Sequence, residues 1–336
     1  MKNKYVLVTW WTWFIWSHTV VELQQAGYAV VILDNLSNSD IKVLDAIESI
    51  TWTRPDFVEC DLLDKAGMQH IFEKYDVWAV LHFAGLKAVG VSCAEPFSYW
   101  QTNIVWIMHL LELMDAHDVR RLVFSSSATV YDASYEESPF DETMRTGHTT
   151  NPYGTTKHII EQLLEDMVQR KGMSITSLRY FNPIWAHQSW TLWEDPTDIP
   201  NNLFPIILDV LEWKRETLQV FGNDYDTVDW SGVRDYIHVV DLAKAHVLAL
   251  EKQQQDSYSV YNVWTWRWTS VLEMIALVEK VSWKKIQRAY APRRAGDIAT
   301  SVAACDRIGQ DLWWSEQLTI DDAVQHGIGF RDNHRQ

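Results

Sequence analysis

A strand, a turn and a helix at the start of the chain constrain its fold more than any other stretch. Residues 6–18 read VLVTWWTWFIWSH, in which an apolar, β-branched start typical of a buried strand leads through a turn to the helix-compatible stretch 19–25. In a dinucleotide-binding βαβ unit this turn carries glycines three residues apart, because glycine lets peptide N–H groups approach a pyrophosphate. The spacing is kept at positions 10, 13 and 16, but each residue is tryptophan.

Three interpretations of this aromatic run compete. It could be a buried aromatic strand or an aromatic belt at a membrane interface, but the block is far shorter than the roughly 18 apolar residues of a membrane span. It could be a nucleotide loop ruined by substitution. It could also be a run in which the written letters are not the residues that the ribosome inserted.

Length and composition indicate a globular protein with room for one large α/β domain and a smaller second lobe. The chain has 336 residues, is 47% hydrophobic and carries a net charge of −16 without a basic run, which argues against nucleic acid or an anionic membrane as a partner. The start leads straight into a strand and no transmembrane stretch is evident, so we expect a cytoplasmic protein. Cys60, Cys93 and Cys305 are odd in number and widely spaced, so we expect neither disulfides nor a metal site.

Strands alternate with helical patterns through the first half of the chain. We predict strands at 6–8, 28–33, 56–59, 78–83 and 121–125, which implies a Rossmann-type, doubly wound parallel sheet. Prolines interrupt the pattern beyond residue 180, where we expect a smaller C-terminal substrate lobe. Helices are predicted at 206–211, 239–254 and 270–281, with a frayed polar tail beyond Ile328. We assign 1–180 and 236–270 to the cofactor domain, and 181–235 and 271–336 to the substrate lobe.

Tyr153 and Lys157 form a candidate base and its tuner. They lie four residues apart at the start of a helical pattern, so both side chains share one face. An ammonium favours phenolate, and lowering a tyrosine pKa from about 10 to neutrality takes about 3 pH units, roughly 4 kcal/mol. A lone match of this spacing is a weak signal, but this one follows a predicted strand that ends in Ser125, Ser126 and Ser127.

At this point the chain resembles the UDP-glucose (UDP-galactose) 4-epimerases of the extended short-chain dehydrogenase/reductase family, over nearly its whole length. The stretches that carry the resemblance are VILDNLSNS (31–39), HFAGLKAVG (82–90), FSSSATVY (124–131), NPYGTTK (151–157), LRYFNP (178–183), DIPNNLFP (198–205), VRDYIHVVDLA (233–243) and TSVLEM (269–274). It implies tightly held NAD that is reduced and reoxidised within each turnover. Tyr153 would take the proton from the sugar 4-hydroxyl, Ser127 would bond O4, and Lys157 would hold the ribose. The 4-keto sugar would then rotate before hydride returns.

The same resemblance implies two sets of binding residues. The residues expected around NAD are Trp10, Trp13, Phe14, Ile15, Trp16, Asp34, Asn35, Asp61, Leu62, Phe83, Ala84, Gly85, Lys87, Asn103, Tyr153, Lys157 and Tyr180. The residues expected around the UDP-hexose substrate are Ser127, Tyr153, Asn182, Asn202, Leu203, Phe221, Arg234, Arg294, Asp297 and Ser301. The two arginines would balance the charge of the pyrophosphate.

Ser301 bears on the substrate range. Many members of the resembled family place a bulky tyrosine at this position, four residues after Asp297. A small residue would leave room for an N-acetyl group, so we expect turnover of UDP-N-acetylhexosamines in addition to UDP-glucose and UDP-galactose.

Two rival functions are weighed against the epimerase. A nucleotide-sugar 4,6-dehydratase on the same fold needs an acidic pair after the central hydroxyl residue, whereas Ser127 is followed by Ala128 and Thr129. A noncatalytic nucleotide-sensing or interaction protein would be the right interpretation if the tryptophans are real. Members of the resembled family usually form homodimers, so the resemblance also implies a homodimer.

The tryptophans themselves have a pattern. The chain has 19 tryptophans and only 13 glycines. All but Trp100 and Trp314 fall where the family usually has or accepts glycine: 10, 11, 13, 16, 52, 78, 106, 185, 190, 193, 213, 230, 264, 266, 268, 283 and 313. As glycines they would bring glycine to about 9%, which is ordinary. Our hypothesis is that UGA encodes glycine in the source and was translated as tryptophan. The chain as literally written is then expected to be inactive or misfolded.

Overall fold

The fold was described from a computed structural model, which places residues 4–9, 15–180, 182–184, 186–192, 202–265, 267–294 and 297–333. Its strands, in chain order, are β1 (Tyr5–Thr9), β2 (Ala29–Asp34), β3 (Asp56–Glu59), β4 (Val77–His82), β5 (Arg121–Ser127), β6 (Ser174–Tyr180), β7 (Asn182–Ile184), β8 (Leu218–Phe221), β9 (Val233–His238), β10 (Tyr258–Val263), β11 (Trp268–Ser270), β12 (Arg288–Ala291) and β13 (Thr300–Ser301).

The helices cover the sheets on both sides. They are α1 (Ile15–Gln25), α2 (Val43–Thr51), α3 (Lys65–Lys74), α4 (Val89–Ala94), α5 (Pro96–Tyr99), α6 (Val105–Ala116), α7 (Pro152–Lys171), α8 (Leu203–Leu211), α9 (Val239–Glu251), α10 (Val271–Ser282), α11 (Asp306–Leu312) and α12 (Ile320–Asn333). A π-helical turn, Trp100–Ile104, joins α5 to α6, and a 3₁₀ turn, Ala128–Val130, follows β5.

Seven strands form one parallel sheet in the order β10-β6-β5-β4-β1-β2-β3. The chain moves outwards from β1 in one direction through β2 and β3, then returns to add β4 on the other side. Ligands of such doubly wound sheets bind at the carboxyl ends of the strands, beside the point where the order reverses. The predicted doubly wound sheet is therefore confirmed, and the reversal lies between β1 and β4.

Strand periodicity explains why both faces of this sheet are buried. On β1, Val6 and Val8 pack in one hydrophobic cluster with α1 and α9, whereas Leu7 packs in a second cluster with α3, α6 and α7. Because successive side chains point to opposite faces, a strand covered on both sides must be apolar throughout. That is the pattern of residues 6–8.

A smaller assembly is built from the later strands. β9 pairs with β11, β13 and β7, and β8 pairs with β12. A third hydrophobic cluster joins β8 and β9 to α8, α10 and α12. Local signals fix the start of α10, where Ser270 and Glu273 form a reciprocal capping box.

Comparison with the sequence predictions shows where local pattern was sufficient. The five predicted strands are confirmed to within two residues, and the helices predicted at 206–211 and 270–281 correspond to α8 and α10. α9 ends at Glu251, three residues before the predicted end. The prediction of a frayed tail beyond Ile328 is wrong for the described residues, because α12 continues to Asn333 and Arg331 pairs there with Glu212.

The sequence predicts neither a membrane-spanning segment nor a disulfide framework. None of the helices in the described ranges combines the length and apolarity that a bilayer crossing requires. Cys60, Cys93 and Cys305 are free thiols, half-buried, exposed and buried respectively.

Candidate active site

Helix α7 starts with the residues that place Tyr153 and Lys157. The Asn151 side chain accepts a hydrogen bond from the Gly154 N–H at 2.8 Å, and Pro152 occupies the first helical turn. A Cβ on Gly154 would lie 2.7 Å from the backbone oxygen of Thr129, so only glycine allows the helix this close to the end of β5. Tyr153 and Lys157 are thereby brought against the carboxyl end of β5.

Lys157 is fully enclosed between α7 and the central sheet. Its Nζ donates to the backbone oxygen of Ser125 at 2.7 Å and lies 4.7 Å from the centre of the Phe124 ring and 6.0 Å from that of Tyr153. Burial lowers the pKa of Lys157 to about 7, against the opposing attraction of Glu161. Because this pKa lies near neutrality, the charge state of Lys157 depends on any charged group that enters the site.

Ser127 ends β5 beside Tyr153. Its Oγ accepts hydrogen bonds from the Thr129 N–H at 3.2 Å and from the Thr129 hydroxyl at 3.0 Å. The side chain of Ser127 also interacts with the Tyr153 phenol and lowers its pKa, against the larger effect of burial. Strand end and helix start thus bring together the three predicted catalytic residues.

Asn103 holds the segment after β4 against this pair. Its Oδ1 accepts from the Leu86 N–H at 2.8 Å, and its Nδ2 donates to the Leu86 oxygen and to the Thr156 hydroxyl, each at 3.1 Å. A Cβ on Gly85 would lie 3.3 Å from Asn103 Oδ1 and 3.6 Å from Lys157 Nζ. The predicted residues Gly85, Asn103 and Lys157 therefore share one small volume.

Asp34 ends β2 in a position suited to a ribose. It is buried, its Oδ1 accepts from the Leu36 N–H and from Ser39, and its Oδ2 has no partner among the described residues. Burial raises the pKa of Asp34 to about 7. Next to it, Asn35 Nδ2 donates to Asp61 Oδ2 at 2.7 Å. A buried acceptor with an unused oxygen fits the hydroxyl donors of a dinucleotide ribose.

A cavity of about 180 Å³ gathers most of the predicted substrate residues. Those that line it are Asn182, Asn202, Leu203, Phe221, Arg234, Arg294 and Asp297. They come from β7, α8, β8, β9 and the segment after β12, so the tertiary fold brings together positions far apart in the chain.

The two arginines in this cavity are oriented by different contacts. Arg234 donates from Nη1 to the backbone oxygens of Val233 and Ala299, at 2.8 and 3.3 Å. Arg294 pairs with Asp297 at 2.9 Å and lies 4.9 Å from the centre of the Phe221 ring. Two guanidinium groups in one cavity suit a diphosphate.

Sequence comparisons identify the family to which this architecture belongs. Residues 6–263 match the NAD dependent epimerase/dehydratase family. The chain belongs to this family. It is 47% identical over 324 residues to the UDP-glucose 4-epimerase of Bos taurus, covering 94% of this chain and 93% of that protein. It is 46% identical over 319 residues to that of Bacillus subtilis, covering 94% of each chain.

A solved structure extends the similarity to the fold of the whole chain. The UDP-glucose 4-epimerase of Bifidobacterium longum, determined in complex with NAD+ and UDP, superposes with a TM-score of 0.94 at 43% identity, covering 98% of this chain and 99% of that one. Similarity to UDP-glucose 4-epimerases over nearly the whole chain makes this protein an isomerase, and its family has NAD as cofactor.

The remaining predicted cofactor residues of this epimerase occupy different settings. Phe83, Ala84 and Tyr180 lie at the carboxyl ends of β4 and β6, where the Tyr180 hydroxyl donates to Ser125 Oγ. Leu62 is buried in a hydrophobic cluster, and Lys87 is exposed. Ile15 begins α1 and Trp16 is wholly buried in the core beneath it. Trp10, Trp13 and Phe14 lie outside the described residues.

The electrostatics of Tyr153 differ from the sequence prediction. Burial raises the pKa of Tyr153, and only the hydrogen bond with Ser127 opposes this. The sequence predicts that Lys157 lowers the pKa of Tyr153. In the structure its ammonium donates to the backbone oxygen of Ser125 rather than to the phenol.

Sequence reasoning missed several residues of the substrate cavity. Gln219, Tyr225 and Tyr236 also line it. A signal for Gln219 was available, since it lies two residues before Phe221 on the same face of β8. Tyr225 reaches the cavity through the turn that follows β8, and its hydroxyl is buried without a partner among the described residues. Its position could not be read from any local pattern.

Metal binding finds no support in the described part of the chain. No group of three or more His, Cys, Asp or Glu side chains there could hold a metal ion.

Proposed function

We propose that this chain interconverts UDP-glucose and UDP-galactose by inverting C4 of the hexose. The observation that carries the proposal is the convergence of Ser127, Tyr153 and Lys157 at the carboxyl end of β5, in a chain whose arginine-lined cavity fits a diphosphate. When bound, NAD would supply the oxidation of C4 by accepting its hydride and the re-reduction that inverts this carbon.

The protein groups have distinct tasks in this proposal. Tyr153 removes the proton of the 4-hydroxyl and later returns it, while Ser127 bonds O4. Lys157 keeps a positive charge near the phenol, and Asp34 binds the adenosine ribose. Arg234 and Arg294 hold the pyrophosphate, which leaves the sugar to turn between its two orientations without release of the nucleotide.

Product analysis tests this function against its rivals. NMR of a reaction started from UDP-galactose is expected to show UDP-glucose at equilibrium with it. Formation of a 4-keto-6-deoxy sugar would identify a dehydratase instead. A protein that contains NAD and leaves both sugars unchanged would be noncatalytic, and the proposal would fail.

We also propose that glycine occupies the seventeen anomalous tryptophan positions in the protein that the cell makes. Backbone geometry supports this. Among the described residues, positive φ angles between 58° and 63° occur at six tryptophans: Trp52, Trp190, Trp213, Trp230, Trp283 and Trp313. Left-handed angles cost an L side chain about 1–2 kcal/mol, and bulky residues rarely adopt them.

Three of these six close helices in the way that glycine does. Trp52, Trp283 and Trp313 are the left-handed C-caps of α2, α10 and α11, and their side chains are 89%, 93% and 77% exposed. An exposed indole gains little to offset the strained backbone, whereas glycine is the residue that helices most often use there. All six belong to the seventeen positions, and neither Trp100 nor Trp314 has a positive φ.

The source DNA decides this second proposal. UGA at the seventeen positions and UGG at Trp100 and Trp314 would establish glycine, once peptide masses of the native protein agree. UGG at all nineteen would make the tryptophans real and remove the nucleotide loop. For laboratory work we define the glycine-restored chain as the sequence with glycine at these seventeen positions.

Acceptance of N-acetylated sugars is proposed from Ser301. Ser301 lies on β13, where it pairs with Arg234 of the neighbouring strand β9. A small side chain there leaves space beside the sugar C2. The glycine-restored chain is expected to epimerise UDP-N-acetylglucosamine, and Ser301→Tyr to lose this activity while retaining that on UDP-galactose. Activity confined to UDP-glucose and UDP-galactose in the glycine-restored chain that keeps Ser301 would refute the proposal.

Three further assignments are proposed for the molecule as a whole. Residues 1–180 and 236–270 form the NAD domain, with 181–235 and 271–336 as the UDP-sugar lobe. The chain is cytoplasmic, which cell fractionation tests.

The chain is a homodimer, supported by the exposed apolar side chains Val89, Val91, Phe97 and Met108 on α4, α5 and α6. Phe97→Glu is expected to give monomers in light scattering, and a monomeric unsubstituted chain would contradict the dimer.

A further inference from the structure

A buried ion pair lies directly behind the catalytic residues. Glu161 on α7 and Arg179 on β6 are joined by two hydrogen bonds, Arg179 Nε to Glu161 Oε1 at 2.9 Å and Arg179 Nη2 to Oε2 at 2.6 Å. Only 6% of each side chain is exposed. Removing such charges from water is costly, and well-packed apolar residues often serve stability equally well. Stability alone therefore does not explain this pair.

The same carboxylate also holds the strand that carries Ser127. The Ser126 hydroxyl donates to Glu161 Oε1 at 2.5 Å. Ser126 is paired with Arg179 in the register of β5 and β6. One carboxylate therefore joins the helix α7 to two neighbouring strands at their carboxyl ends, one residue before Ser127.

Adjacent turns of α7 bind adjacent residues of β5. Lys157 donates to the backbone oxygen of Ser125, and Glu161, one turn further along the helix, accepts from the side chain of Ser126. A rotation or slide of the helix would break both contacts. The spacing between Ser127 and the Tyr153–Lys157 pair is thus set at two points.

The charges that face Lys157 come from several elements. Its own helix contributes Tyr153 and Glu161, β4 contributes His82, and β6 contributes Arg179 through its pair with Glu161. Burial lowers the pKa of His82 to about 3, with Lys157 as the secondary cause, so this histidine is neutral. Glu161 is the anion that acts on the ammonium, and it raises the pKa of Lys157 against the larger effect of burial.

We infer that Glu161 is a positioning residue of the active site, whose carboxylate fixes Ser127, through its neighbour Ser126, relative to Lys157 one turn away on the same helix. This inference rests on the proposed function for its effect on turnover, since Lys157 acts there beside Tyr153. Its effect on the lysine itself is a property of the folded chain and is independent of activity.

Two substitutions in the glycine-restored chain separate charge from geometry. Glu161→Gln keeps an acceptor for Ser126 but removes the charge. Ser126→Ala keeps the charge but removes the contact with β5. Glu165→Gln, one turn further along α7 on an exposed residue, is the matched control.

The first measurement is the titration of Lys157, followed by NMR of lysine labelled with ¹³C at Cε and assigned with Lys157→Met. Glu161→Gln is expected to lower the pKa of Lys157 by about one pH unit, whereas Ser126→Ala and Glu165→Gln leave it in place. An unchanged Lys157 titration in folded Glu161→Gln would overturn the assignment of the charge. This test stands even if the chain proves not to be an epimerase.

The second measurement is the pH profile of turnover. Glu161→Gln is expected to lower kcat about tenfold at neutral pH and to move the falling limb of its profile to lower pH, because Lys157 is charged only below its pKa, with KM unchanged. Ser126→Ala is expected to lower kcat without shifting that limb. If Glu161→Gln does not fold, Ser126→Ala alone decides the geometric role, and wild-type kcat in that variant would refute it.

Discussion

Lys157 donates a hydrogen bond from its ammonium to the backbone oxygen of Ser125, 2.7 Å away, which ties α7 to the carboxyl end of β5. This contact places the cation beside the sheet rather than on the Tyr153 hydroxyl, whose pKa burial raises. The site therefore holds its positive charge against the backbone of β5.

Tyr153→Phe in the glycine-restored chain tests the proton transfer directly. Loss of the hydroxyl is expected to reduce kcat by about 10²- to 10⁴-fold, because general base catalysis contributes that much, with little change in KM. The epimerisation assay checks this, and circular dichroism confirms the fold. Tyr135→Phe, on an exposed tyrosine, is the control. Equal kcat in the two variants would remove Tyr153 from the mechanism.

Asp34 predicts a pH dependence of cofactor binding. The pKa of its buried carboxyl is raised to about 7, so the carboxylate that ribose hydroxyls require is lost as the pH falls through 7. NAD affinity of the cofactor-free protein is expected to fall about tenfold from pH 8 to pH 6. Calorimetric titration measures this. Asp34→Asn should abolish the dependence, and Asp40→Asn, at a carboxylate whose side chain is 43% exposed, should keep it; the same slope in both would contradict the assignment.

The arginines of the cavity are distinguishable from a neighbour outside it. Arg234→Gln and Arg294→Gln are each expected to weaken UDP binding by about 1.5–3 kcal/mol, because each loses a charge-assisted contact with phosphate. Arg293→Gln is the control, since Arg293 pairs with Asp224 and lies over the Tyr225 ring. Calorimetry with UDP compares the three, and a loss confined to Arg293→Gln would place the pyrophosphate elsewhere.

The tryptophans can be tested in the chain as written, provided that it folds. Trp52→Gly and Trp283→Gly are each expected to raise the free energy of unfolding by about 1 kcal/mol, because a left-handed angle is relieved at an exposed site. Trp314→Gly should lower it by about 3–5 kcal/mol, since Trp314 is buried and its Nε1 donates to Asp241 at 3.0 Å. Urea denaturation provides the values. Destabilisation by Trp283→Gly would argue for a selected tryptophan.

A chain of histidines predicts loss of stability in acid. His187 lies 6.0 Å ring to ring from His18, and His238 Nε2 is 3.1 Å from His326 Nδ1. Burial lowers the pKa of His187 to about 4 and that of His238 well below its usual value. The unfolded chain therefore binds more protons, so the stability present above pH 6.5 is lost as the pH falls towards 4.

The expected slope is about 1 kcal/mol per pH unit for each of these two buried histidines. His187→Gln should reduce the slope of unfolding free energy against pH between 6.5 and 4. His70→Gln, on an exposed histidine, is the control. Parallel slopes in the unsubstituted chain and His187→Gln would show that His187 does not contribute.

Local sequence determined much of this protein. The apolar runs at 6–8 and 28–33 specify buried strands because both faces of a parallel sheet are covered. The four-residue spacing of Tyr153 and Lys157 places both on one face of a helix, and Asn151 with Pro152 marks where that helix starts. The positions of the tryptophans, compared with the family pattern, predict glycine there without reference to the backbone angles.

Tertiary structure alone decided the rest. No local pattern relates Glu161 to Ser126 or to Arg179, because the three come from one helix and two strands that meet only in the folded sheet. The cavity that unites Asn182, Phe221 and Arg294 depends in the same way on long-range pairing of β7, β8, β9 and β12. Burial also depends on the whole fold, and it is burial that lowers the pKa of Lys157 and raises those of Asp34 and Tyr153.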